Sequence, residues 1–300
     1  MTAASPRSIQ DYLDQLRQVL QGADPALMQD ALYDAEEHLR AEVAAQPDRP
    51  EADVLGSIVS SYGAPEEVAE AYRQNETRVQ AALRTPPAVR GRTAWSRFFG
   101  VYSDPRAWLA LLYMLLSLFS GVFYFTFAAT GLSLSVGLAI LIIGVPVFLL
   151  FIGASRVISL AEGRLVEAML GTRMPRRPLY PDRGTPWLRR IGEMLQDPRT
   201  WGTLLYFALM LPLGVFYFTF AVAGLTISLA LTLVPLLVLG WHLGLVQVEG
   251  LVGSPPVAVL PLLSILGILL LTFTMHLARG IGHLHGQLAK ALLVFPSRSD

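Results

Sequence analysis

Cysteine is absent from the 300 residues, which excludes disulfides, thiolate metal sites and cysteine nucleophiles. Charge is scarce: charged residues make up 15% of the chain against 53% hydrophobic ones, too apolar for a soluble protein of this length. Lysine occurs once, at Lys290, which reads as codon bias. A secretory signal is lacking, because residues 1–20 are polar and amphipathic without a central apolar run. The N-terminal part is therefore expected to stay in the cytoplasm. There is no Walker loop, zinc-protease HExxH, GxSxG or kinase signature, and Gly131-Leu132-Ser133 reads as a turn. The chain is expected not to be an enzyme and to use no cofactor.

What is present is a segment written twice. Residues 104–135 (DPRAWLALLYMLLSLFSGVFYFTFAATGLSLS) and 197–228 (DPRTWGTLLYFALMLPLGVFYFTFAVAGLTIS) are identical at 20 of 32 positions, including an unbroken GVFYFTFA. Each copy opens on a polar signal and then stays apolar for longer than a bilayer crossing needs. The signal, D-P-R-x-W, has a physical reason for each residue. Asp104 and Asp197 cap the incoming helix, and Pro105 and Pro198 suit its first position. Arg106 and Arg199 reach phosphates, while Trp108 and Trp201 suit the headgroup level. Trp95 and Arg97, matched at a shift of 92 by Trp187 and Arg189, extend these interface anchors upstream, with Arg190 beside them. The exit segments also match. RGIGHLHGQLAKALLV (279–294) aligns with RVISLAEGRLVEAMLG (156–171), pairing Arg156 with Arg279 and Gly163 with Gly286.

The predicted architecture is all-α and membrane-integral. Residues 1–76 form a cytoplasmic domain of four short helices (about 7–21, 25–45, 51–61 and 65–74). Residues 77–93 are a basic linker. Unit 1 covers 94–171, with spans at about 107–129 and 136–156 and a turn at Thr130-Gly131. A Pro-rich cytoplasmic linker follows at 172–186. Unit 2 covers 187–294, with spans at about 200–222 and 257–278 and an apolar insertion near 226–256. Within the insertion, 225–247 is a re-entrant or fifth apolar segment, with the re-entrant form, broken at Pro235 and Gly240, favoured. Two crossings per unit imply parallel repeats about a pseudo-two-fold along the membrane normal. Nine arginines in 156–199, against a lone Glu249 in the outer turns, place both termini in the cytoplasm.

Charge is split along the chain. Residues 1–76 carry 15 acids and 5 arginines; the remainder carries 8 acids and 18 basic residues. The basic half suits anionic headgroups. Its arginines lie beside apolar spans, which argues against nucleic acid as a partner.

YLDQLRQVL, DALYDAEEHLRAEV and SSYGAPEEVAEAYRQ, over residues 8–75, resemble the HAAS signalling domain, a small bacterial cytoplasmic module. Tyr62 stands where that family has leucine. D-P-R-x-W, the L-x-L-P-L-G-V run and the R-G-I-x-x-L-H-G-x-L-A exit, over residues 94–294, resemble the bacterial "putative sensor" membrane domain, which often precedes histidine kinases. No histidine-kinase module is expected here. The HAAS resemblance implies a cytoplasmic partner, a PadR-type regulator or another signalling protein. A homodimer is compatible with both resemblances.

Three residue sets are candidates for a site. Asp34, His38 and Glu42 are spaced four apart and could gather around a metal, although a solvated acidic face explains them better. His276, His283 and His285 read as polar tips of an interfacial helix. Gly121, Tyr124, Thr126, Gly214, Tyr217 and Thr219 are either a ligand pocket or, preferably, the packing joint between the units. No charged residue is expected deep in any span, which disfavours ion-coupled transport. The expected function is a non-catalytic inner-membrane sensor or regulator that signals through its N-terminal domain. The alternative is a small permease, or an accessory subunit, for a lipid or amphiphile.

Overall fold

The computed structural model describes residues 6–83, 93–138, 143–177, 192, 196–245 and 256–294. Among these it is all-helical. α1 (Ile9–Val19), α2 (Pro25–Ala45), α3 (Glu51–Tyr62) and α4 (Pro65–Leu83) come first. α5 (Ala94–Phe99) and a 3₁₀ turn (Gly100–Ser103) follow. Then come α6 (Pro105–Gly137), α7 (Gly144–Leu170), α8 (Pro198–His242) and, after a second 3₁₀ turn, α9 (Leu260–Leu293). α6 to α9 are each long and apolar enough to cross a membrane, so the chain is a multi-pass membrane protein.

Local chemistry sets the helix ends. The Ser8 hydroxyl accepts the Asp11 N–H, and the Asp24 carboxylate accepts the Ala26 N–H. α7 stops at Gly171, whose φ of 73° is a left-handed cap that a side chain would strain. α4 runs to Leu83, so the linker expected from 77 begins later.

The apolar helices differ from expectation at two places. The turn expected at Thr130-Gly131 is absent: α6 passes through both residues, and the Phe151 ring occupies the space that a Cβ on Gly131 would fill. The exit segments are the ends of α7 and α9. The re-entrant or fifth segment at 225–247 is absent too, because α8 runs unbroken from 198 to 242 through Pro212 and Pro235. A re-entrant break would strand backbone N–H and C=O groups in hydrocarbon, whereas a continuing helix satisfies them internally. At its 45 residues, α8 is roughly 68 Å long, about twice the hydrocarbon thickness.

The chain divides into two compact units. One joins Met1–Arg84, Gly131–Tyr206 and Leu288–Asp300; the other joins Thr85–Thr130 and Phe207–Gln287. In the first, α1 to α4 close on a core that includes Tyr12, Leu16, Leu20, Leu39 and Leu55. Tyr12 ties that core to the α3–α4 corner by donating to the Gly63 carbonyl at 2.9 Å. In the second, Val101, Ala107, Leu111 and Met114 pack with Tyr217 and Ala221 of α8 and Met275 and Ala278 of α9.

In this second unit the two copies of the repeat touch. Gly121 lies against Met210 and Leu211, Gly214 against Ser117 and Leu118, and Tyr124 stacks on Phe207 at 5.1 Å. Partner numbers fall as residue numbers rise, so the two segments meet antiparallel. The local two-fold therefore lies across the helices, and the expected parallel relation is not the one seen at this contact.

Candidate functional site

Among the described residues, buried charge concentrates where the segment after α7 meets α2 and α4. Arg173, Asp30, Glu76 and Glu167 are each at most 9% exposed. The Arg173 guanidinium donates to Asp30 (Nη2 to Oδ2, 2.8 Å) and to Glu76 (Nε to Oε2, 3.2 Å) and sits 3.5 Å from Glu167. Asp30 Oδ1 also accepts the backbone N–H groups of Arg176 and Arg177, at 2.7 and 2.8 Å. Arg176 reaches the second oxygen of Glu167 at 2.9 Å. Arg177 pairs with Asp34 at 2.8 Å, and the Tyr72 hydroxyl donates to the other Asp34 oxygen at 2.7 Å. A polar cavity of about 390 Å³ borders the cluster.

This arrangement follows from the local chain. Gly171 turns the backbone sharply, so residues 173–177 double back and Met174 comes beside Gly163. Asp30 lies on the face of α2 that also carries the core residues Leu27 and Ala31. Burial pushes the Asp30 carboxyl above its ordinary value, although the Arg173 hydrogen bond, the two backbone donors and the Arg173 charge pull it back. Burial also works against the charge on Arg173, but the hydrogen bond and charge of Asp30, then those of Glu76, leave it raised and ionised. Breaking such a buried network from one side leaves uncompensated charge, which is strongly unfavourable.

The repeat places a second kind of polar contact in each unit. In one, Tyr113 on α6 bonds to His285 on α9 at 2.7 Å, and Tyr217 approaches the same ring at 3.4 Å. In the other, Tyr206 on α8 donates to Glu162 on α7 at 2.7 Å. Tyr113 and Tyr206 correspond at the shift of 93, and Glu162 and His285 correspond at the shift of 123. The ion pairs Arg279–Asp104 (2.9 Å) and Arg156–Asp197 (3.5 Å) obey the same correspondence. In every case the exit helix of one copy bonds to the first helix of the other. The two shifts were the available signal for these pairs, but the partners become visible only when the alignment is crossed.

The residues singled out from sequence fall as follows. Asp34 is engaged by Tyr72 and Arg177, while His38 stacks on Tyr62 at 4.4 Å. With Glu42 they form no metal-ligating group, and no group of three or more His, Asp or Glu that could hold a metal occurs among the described residues. His276 bonds to the Phe98 carbonyl and His283 to Gln287, so the three histidines of α9 do not converge. His285, expected as a polar tip, is 1% exposed. Glu162, also 1% exposed, lies on α7 beyond the span expected at 136–156, in the exit segment.

Gly121, Gly214, Tyr124 and Tyr217 are buried at the α6–α8 contact, whereas Thr126 and Thr219 are exposed and line no common pocket with them. Trp95, Trp108 and Trp201 are exposed, as is Arg97, and Arg106 and Arg199 are partly buried. The Arg106 and Arg199 N–H groups each bond to the preceding aspartate at 3.0 Å, so both copies of the cap are formed. Trp187, Arg189 and Arg190 lie outside the described residues.

A family model described as "Putative sensor" matches residues 113–293. No curated protein and no solved structure matches the chain.

Proposed function

The chain belongs to the Sensor family, and from that premise we propose a non-catalytic sensor of the bacterial inner membrane that signals through its N-terminal helices. The observation that supports this reading is the buried cluster on Arg173. It fastens α2 and α4 to the segment leaving α7, so a shift of α7 in its membrane environment has to be followed by the N-terminal helices or break buried ion pairs. The acidic helices, which resemble a HAAS domain, then present a different face to a cytoplasmic partner, a PadR-type regulator or another signalling protein. Both chain ends are assigned to the cytoplasm; Lys290 of α9 and Asp24 pair at 2.5 Å, which supports a common side. The test is deletion of residues 1–76. Membrane insertion is expected to persist and capture of a PadR-type regulator to be lost; capture that survives the deletion refutes the assignment of the docking role.

A further inference from the structure

Two adjoining open cavities, both within the first unit, lie along α7 and the start of α8 and share Ile152 and Thr200; α6 completes one, and Gln29, Met174 and the end of α9 complete the other. The larger, about 330 Å³, is apolar, walled by Leu132, Val136, Val145, Phe148 and Leu204. At about 30 Å³ for a water-sized group, that is room for on the order of ten such groups. The smaller, about 70 Å³, includes Arg156 and Arg199 in its lining and no carboxylate. Asp197 stands 3.5 Å from Arg156, and its charge also acts on Arg199.

Thr200 sits at the junction. It is 8% exposed, and its hydroxyl is buried without a hydrogen-bond partner. A helical threonine ordinarily satisfies that hydroxyl on the carbonyl one turn back. Ser155 and Ser159, in the same lining, do so, donating to Phe151 and Arg156 at 2.8 and 2.9 Å. Thr200 therefore keeps a donor beside two guanidinium groups, at the mouth of an apolar groove.

We propose that these cavities bind one anionic phospholipid, with its phosphate held by Arg156, Arg199 and the Thr200 hydroxyl and one acyl chain in the Leu132–Leu204 groove. The proposal rests on the sensor reading and names the class of molecule sensed. Charge complementarity selects an anionic over a zwitterionic head, and the apolar lining of the groove selects an acyl tail over a free anion.

The test uses the purified full-length protein in neutral detergent, titrated with dioleoyl phosphatidic acid, dioleoyl phosphatidylcholine and inorganic phosphate, with bound species counted by native mass spectrometry. Phosphatidic acid is expected to bind at least about tenfold more tightly than either of the others. Arg199→Gln should weaken it about tenfold, Thr200→Ala a few-fold, and Val136→Trp, which fills the groove from its exposed side, about tenfold. Arg156→Gln replaces Arg199→Gln if the latter lowers the melting temperature. Equal binding of phosphatidylcholine, equal binding of inorganic phosphate, or unchanged affinity in the arginine and Val136 variants overturns the proposal. Partner capture is scored on the same preparations: capture without lipid selectivity overturns this inference alone, and selectivity without capture overturns the docking role alone.

Discussion

Arg173 is the residue on which three carboxylates converge, and its removal cannot be neutral. Arg173→Ala leaves Asp30, Glu76 and Glu167 buried with Arg176 as the remaining side-chain cation against Glu167. The expected loss is about 3–5 kcal/mol, read as a lower melting temperature in detergent. Asp30 makes a further, signed prediction. Its folded pKa lies above the ordinary 3.8, chiefly through burial, so the folded chain takes up this proton before the unfolded chain does. The stabilising contribution is complete below about pH 3.8 and is lost as the pH rises through the folded value. Wild type should therefore gain stability relative to Asp30→Asn as the pH falls from 7 towards 4. A wild type that loses ground over that range would mean that the site holds the ionised carboxylate. None of this network was legible in the sequence. The spacing of Asp34, His38 and Glu42 showed an acidic helix face, but the partners stand 97 and 143 residues away from Glu76 and Asp30, and pairing at that range leaves no periodic trace.

At the scale of helices, the two repeat glycines carry the most direct prediction. In an isolated helix, glycine to alanine gains up to about 1 kcal/mol. A Cβ on Gly121 would overlap the Met210 carbonyl oxygen, and one on Gly214 that of Ser117. Backbone cannot rotate aside as a side chain can, so the helices must separate. Gly121→Ala and Gly214→Ala should each cost about 1–3 kcal/mol, while Gly153→Ala, whose Cβ meets open space, should be neutral or stabilising. The direction of the same contact is testable in this cysteine-free chain. Oxidation should cross-link the pair Tyr124→Cys/Phe207→Cys and not Tyr124→Cys/Tyr217→Cys; the reverse pattern would restore the parallel repeat. Much at this scale was readable: the caps at Asp104 and Asp197, the four short helices of the first 76 residues, and four apolar stretches. What failed was where apolar helices stop. Gly131, Pro235 and Gly240 end helices in water, where freed backbone groups find solvent, but in hydrocarbon the helix is the cheaper state for them.

Over the whole molecule, the acidic first quarter and the basic remainder attract each other across water as well as through the Arg173 cluster, and salt separates the two contributions. The Debye length falls from about 8 Å in physiological salt to about 3 Å at 1 M, so attraction between exposed charges disappears while a buried network is little affected. Several contacts of the N-terminal helices are of the exposed kind: Arg177, facing Asp34, and Lys290, facing Asp24, keep 50% and 27% of their side chains exposed. Arg173 and its three partners are not. A protease site introduced between Leu83 and Thr93 allows the connection to be cut after folding. The N-terminal fragment is then expected to stay with the membrane part in 1 M NaCl, and to be released in physiological salt once Arg173→Ala is introduced, as judged by size-exclusion chromatography of the cleaved protein in detergent. Release of the wild-type fragment by salt alone would show that surface charge holds the two parts together. In that case a shift of α7 would have no rigid grip on the N-terminal helices, and the route proposed for the signal would fail with it.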